Sequence, residues 1–308
     1  MKGKMNHTKN CLLAGLGVLL ISFYACTTHS SKGKLEKPNI VFIMSDDHAY
    51  QAISAYGGPL ADLAPTPNID RIAREGIRFD RCVVTNSICG PCRATILTGK
   101  YSHINGFRDN ANAHFDGNQL TFPKILQKAG YQTAMIGKWH LGTDPTGFNH
   151  WDVLPGQGSY YNPAFIDTSG QYFMEGYTTE IIGEKTIQWL EKVKDSGKPF
   201  MVMMHHKAPH RAWDPGPNEL GMYKAVEFPE PATLFDHYSG RGEGERNNRM
   251  SIAFSMRLGR DLKIKLESIP VPNASPIFGG HELNEQHTGK WLGLSERVNA
   301  EFLDWNPT

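Results

Sequence analysis

The 308-residue chain reads as an α/β protein with a mainly parallel sheet sandwiched by helices. Short apolar runs alternate along it with segments of helical periodicity, the order that builds a parallel sheet covered by helices. The runs are nearly all apolar rather than alternating, as in strands buried on both faces. Each run is followed by a polar, Gly- and Pro-rich stretch with ionisable side chains, and in open α/β sheets the ligand site lies beyond the carboxyl ends of the strands. Hydrophobic residues make up 40% and charged residues 20% of the chain, enough for a sizeable core. A net charge of +1 gives no argument for a broad nucleic-acid or membrane-surface footprint, so a bound anion must be held by a few placed cations.

Taken in order, residues 1–26 carry three early lysines and then an apolar stretch over 12–24 that is short for a bilayer span. They read as a signal peptide. Cys26, followed by the polar tether 27–37, suggests a lipoprotein anchor and hence an exported protein, periplasmic or held at the outer membrane. An ordinary cleaved signal with an incidental cysteine is the alternative. Residues 39–44 (NIVFIM) are a strand too apolar for a sheet edge. Residues 67–75 form a helix with Thr66 as N-cap, Pro67 in the first turn and Gly76 as stop. Residues 78–84 read as a strand, 122–129 as a helix capped by Thr121, and 131–136 as a strand. Residues 178–194 are helical with Ile181, Ile182, Ile187, Leu190 and Val193 inward, and 199–204 (PFMVMM) are a further buried strand.

The rim behind these strands collects SDDH (45–48), TNSICGPCR (85–93), GKWHLG (137–142) and HHKAPHR (205–211). Asp46 and Asp47 repel each other unless a positive charge stands between them, and a hard cation such as Ca²⁺ fits two carboxylates. They could equally be a solvated pair. Lys138 and His140, two apart along an extended segment, point the same way and would make an anion seat with a proton donor. A salt-bridged lysine and a structural histidine are the bland reading. His210 shares that ambiguity, with Pro209 imposing an extended approach. Cys89-Gly90-Pro91-Cys92 has the spacing of a redox pair at a helix start. Yet Ile88 stands where thioredoxin-like domains usually carry an aromatic residue, and a zinc site would need a second ligand pair. The folded part keeps only Cys82, Cys89 and Cys92, too clustered for a disulfide framework.

Cys89-Gly90-Pro91-Cys92-Arg93 followed by Leu97-Thr98-Gly99 resembles the signature C-x-P-x-R-x-x-x-L-T-G of type I sulfatases, in the alkaline phosphatase-like superfamily. Asp46-Asp47 in PNIVFIMSDD, GKWHLG and KAPH resemble further motifs of that family in the same order, from about residue 38 to about 262. Phrases such as VLPGQGSYYNP resemble Bacteroides-type enzymes of the N-acetylglucosamine-6-sulfatase group. The resemblance implies an alkaline phosphatase/sulfatase-like fold and hydrolysis of sulfate esters on sulfated glycans. It implies that Cys89 is oxidised to formylglycine by a formylglycine-generating or anaerobic sulfatase-maturing enzyme. Asp46, Asp47 and the modified Cys89 would hold Ca²⁺, Arg93 and Lys138 would stabilise sulfate oxygens, and His210, or else His140, would protonate the departing sugar oxygen. Cys92 stands where the family most often has serine.

The resemblance also implies a later Asp-Asn metal pair and another lysine. No such Asp-Asn pair follows His210, and Asp109-Asn110 precedes GKWHLG and so is out of order. The expected organisation is therefore a partial, C-terminally truncated catalytic domain over 38–270 and an unassigned segment over 271–308. Other readings stay open: a non-catalytic remnant, a phosphate or phosphonate ester hydrolase of the same superfamily, and a thiol–disulfide protein using Cys89 and Cys92.

Overall fold

The computed structural model describes residues 37–111 and 114–248, with residues 255, 256 and 261. The signal peptide, almost all of the tether and the segment 271–308 lie outside the described residues.

Six strands form one sheet in the order β1-β6-β2-β3-β4-β5. They are β1 (Ile40–Met44), β2 (Gln132–Lys138), β3 (His150–Leu154), β4 (Ala164–Asp167), β5 (Gly170–Phe173) and β6 (Phe200–His205). β1, β6, β2 and β3 run parallel, whereas β4 and β5 add an antiparallel hairpin. The helices are α1 (Pro67–Glu75), α2 (Cys89–Thr98), α3 (Ser102–Asn105), α4 (Phe122–Lys128), α5 (Thr178–Val193) and α6 (Glu243–Arg246).

The period-two geometry of strands sorts the sheet's apolar residues between two cores. Met135 of β2, Val153 of β3 and Met201 and Met203 of β6 pack with Ala94 and Leu97 of α2, while Phe122 and Leu126 lie against the same cluster. Ala134 and Ile136 of β2 and Val202 of β6 pack on the other face with Ile181, Ile182 and Trp189 of α5. This is the expected α/β sandwich.

Several local expectations are corrected. β1 is an edge strand among the described residues, and Val41 and Ile43 are 49% and 53% exposed, so only its alternate residues meet the core. Residues 78–84 form no strand: they find no ladder partner among the described residues, and Val83 is exposed. On α5, Ile187 faces solvent and Trp189 takes its place inside. Neither Thr66 nor Thr121 caps its helix through the side chain. The Thr66 hydroxyl instead donates to Asp70 at 2.9 Å. Strands β3, β4 and β5 are not among the expected elements, because each is only four or five residues long and mixes polar with aromatic residues.

Candidate active site

Asp46 follows β1, Lys138 ends β2, His205 ends β6, and Cys89 opens α2. Parallel strands deliver their carboxyl ends to one rim, and the start of α2 lies there too. The loop after β6 is tied to the loop after β1: His206 N–H donates to Met44 O at 2.8 Å, and Asp46 N–H to Ala208 O at 3.1 Å. That brings His210 toward the two aspartates. Asp47 adopts φ 58°, a left-handed conformation costly for a residue with a side chain, and so turns away from Asp46.

The centre of the site is a buried group of charges. Lys138 is wholly buried; its ammonium pairs with Asp46 Oδ2 and donates to Gln157 Oε1 at 2.5 Å. Arg93, also buried, places Nη2 3.5 Å from Asp46 Oδ1. Its Nη1 donates to Lys138 O at 2.6 Å and lies 2.9 Å from His205 Nδ1. The same Nδ1 lies 3.2 Å from Lys138 O; it accepts from Arg93 in the tautomer that carries its proton on Nε2 and donates to the carbonyl in the other. Burial, followed by Arg93, pushes the His205 pKa well below its usual value. Burial lowers that of Arg93 too, although an arginine stays charged.

Two buried cations thus face one buried carboxylate. Asp47 does not redress the balance: its side chain is largely exposed and lies 3.5 Å from His210 Nε2. Cys89 does not either, because burial raises its thiol pKa even though Lys138 opposes the shift. The Cys92 thiol is likewise raised by burial. Both cysteines are free, and raised thiols are poor nucleophiles, so the geometry disfavours the redox reading. Arg93 Nε and Nη2 have no hydrogen-bond partner in the described structure. A surplus of buried positive charge with open guanidinium donors is a site that demands an anion.

Asp46, Cys89 and His210 each offer a donor atom within 4.8 Å of the others. Asp47 stands outside that trio and, among the described residues, pairs with His210. His140 does not continue the alternation from Lys138, because the strand ends there and His140 takes φ 54°. It lines a cavity of about 260 Å³ with Asn110, Asp144 and Leu154, its Nδ1 buried without a partner among the described residues. Burial, then Lys138 and Arg93, pull its pKa down to about 4. The His210 pKa is also lowered, first by burial.

Sequence reasoning missed three supporting residues. Gln157 holds Lys138; Tyr160 donates to His210 O at 2.6 Å and lies stacked at 6.2 Å on Tyr177, which in turn donates to Asp214 O at 3.0 Å. Gln157 and Tyr160 belong to VLPGQGSYYNP, a phrase whose density of aromatic and amide groups beside glycines was the available signal. His205 stands on the predicted rim as the first residue of HHKAPHR, but nothing in the sequence assigns it a partner.

The Sulfatase family profile matches residues 38–249. An N-acetylglucosamine-6-O-sulfatase of Bacteroides thetaiotaomicron is 51% identical over 263 residues, which is 84% of this chain and 46% of that protein. Human N-acetylgalactosamine-6-sulfatase is 36% identical over 156 residues, covering 44% of this chain and 29% of its own. Among solved structures, BT4656 in complex with its substrate D-glucosamine-2-N,6-O-disulfate superposes with a TM-score of 0.81 at 46% identity, covering 89% of this chain and 55% of that one. The chain spans about half the length, or less, of these relatives. A profile match over most of the chain, a relative half identical to it and a rim built to hold an anion lead to one assignment: the chain belongs to the sulfatase family.

Proposed function

We propose that this chain carries the sulfate-binding half of an enzyme that hydrolyses sulfate esters on sulfated glycosaminoglycan-type saccharides, with a 6-O-sulfated glucosamine as the substrate class. The observation that carries it is the excess of buried cations among the described residues, Arg93 and Lys138 against Asp46, beside Cys89 and His210. The named substrates of its relatives, an N-acetylglucosamine-6-O-sulfate and a glucosamine disulfate, support the sugar.

In this reading Arg93 and Lys138 bind and orient the sulfate, and their charge counts for more because water is excluded from both. The start of α2 adds its positive end to the same anion. His210, held through its carbonyl by Tyr160, is placed to give a proton to the leaving sugar oxygen. Its lowered pKa makes it a ready donor once protonated. His140 borders the cavity and stays neutral, so it serves better as a hydrogen-bonding wall than as an acid.

Two groups complete the proposal. Cys89 would be converted to formylglycine by a maturing enzyme, and when formed that group supplies the nucleophilic hydroxyl that a thiol lacks. Ca²⁺ suits the Asp46 and Asp47 carboxylates in kind, as a hard cation with oxygen donors, and would add charge opposite the sulfate. The Asp46 carboxylate is already engaged by Lys138 and Arg93, so the ion would share it. Export, and lipid anchoring at Cys26, belong to the same proposal and rest on residues 1–26 of the sequence.

The test is the mass of the tryptic peptide spanning residues 82–93, from protein made in a host that matures sulfatases, together with sulfate release from N-acetylglucosamine-6-sulfate. An aldehyde at Cys89 with sulfate released is expected. A thiol or a Cys89–Cys92 disulfide in every molecule, with no release, overturns the reading.

A further inference from the structure

We propose that Asn110 is a positioning residue that caps α2 from a distant loop and thereby fixes Cys89 against Asp46 and His210. The inference deepens the reading of Cys89 as the reactive centre and rests on it. α2 begins without a cap of its own: Ile88, the N-cap residue, has no side-chain acceptor, and the first turn has no acid. Pro91 lacks an N–H, so the amides that need acceptors at this start are few, and Gly90 carries one of them. Gly90 is buried, where an unpaired amide is costly. Asn110 Oδ1 accepts from Gly90 N–H at 3.0 Å, doing from twenty residues away what an N-cap serine or aspartate does locally.

The loop that carries Asn110 is itself braced. Asn105 Oδ1 accepts from Phe107 N–H at 2.9 Å, Asn86 Nδ2 donates to Arg108 O at 3.2 Å, and Asp109 Oδ1 accepts from Ala111 N–H at 2.9 Å. Phe107 is buried in the core shared with α2. A Cβ on Gly90 would lie 2.4 Å from Phe107 Cε1 and 2.8 Å from Asn110 Oδ1, so the loop and the helix start are fitted to each other at backbone range. Cys89 is the neighbouring residue, and its sulfur lies within 4.8 Å of donor atoms on Asp46 and His210. Whatever locates Gly90 locates that sulfur.

The experiment compares Asn110→Ala, which removes the acceptor, with Asn110→Asp, which keeps one, in the full chain with unmodified Cys89. Amide hydrogen exchange is read over residues 89–92, with β2 as an internal reference for global opening. Alkylation of Cys89 by iodoacetamide is read in parallel and located by fragment-ion sequencing. Asn110→Ala should speed exchange at 89–92 about fivefold relative to β2, the scale of a lost cap, and speed Cys89 alkylation with it. Asn110→Asp should return both to the original rate or below. An unchanged ratio in Asn110→Ala, or an Asn110→Asp that behaves like it, overturns the proposal. Neither readout needs sulfatase activity or the aldehyde, so failure here and failure of the functional reading are told apart.

Discussion

Lys138 shows what a single side chain contributes when it is wholly buried. Its ammonium compensates Asp46 and is held by Gln157. Replacing Asp46 with asparagine keeps the volume and leaves Lys138 and Arg93 buried without the carboxylate that faces both. Removing one side of a buried ion pair in this way costs about 3–5 kcal/mol, so Asp46→Asn should lower the urea midpoint clearly, while an exposed control such as Lys194→Met should not move it. At this scale much of the site was legible. Asp46, Cys89, Arg93, Lys138 and His210 announce themselves as ionisable residues after apolar runs, and the structure brings them together. What was not legible is which acid is buried. Asp46 and Asp47 are equivalent as letters, and only the left-handed backbone at Asp47 separates a paired carboxylate from an exposed one.

Elements explain the rest of the difference between pattern and fold. β2 and β6 were readable as continuous apolar runs, whereas β1 looked the same yet sits at an edge with alternate residues exposed. Composition reports how apolar a strand is, not how many neighbours cover it. The parallel pairing of β2 with β6 also depends on one residue that a hydrophobic pattern reads as a gap. Gly137 takes φ 101°, and a Cβ there would lie 2.0 Å from the His205 carbonyl oxygen. Gly130 also has positive φ, 91°, but open space around it. Gly137→Ala should therefore cost about 3 kcal/mol or more, combining overpacking with backbone strain, and Gly130→Ala only about 1–2 kcal/mol. Denaturant unfolding of the two variants side by side checks this; equal losses would contradict the close approach of β6.

Across the whole molecule the buried histidines set the response to acid. Burial lowers the pKa of His140, His205 and His206, with His140 at about 4. The unfolded chain binds these protons near pH 6.5, and the folded chain binds them only at lower pH. The stability they permit is complete above pH 6.5 and is lost as pH falls from there, for His140 through about pH 4. The thermal midpoint should thus drop between pH 7 and pH 5; a midpoint that rises over that interval would contradict the buried neutral rings. At this scale the α/β class and its family were legible from the order of four motifs, while β3 and the β4–β5 hairpin were not, because their short mixed runs acquire meaning only beside a sheet already formed.

The fit of Gly90 against Phe107 bears on how freely this motif could drift. A mutational library across residues 89–93 should be depleted of large side chains at position 90, since even a Cβ there would lie 2.4 Å from the Phe107 ring. Cys92, half-buried and forming no disulfide, is under no such pressure and should accept other small residues. The two cysteines that first suggest a matched pair would then be seen diverging, one fixed by its neighbour's lack of a side chain and the other merely tolerated.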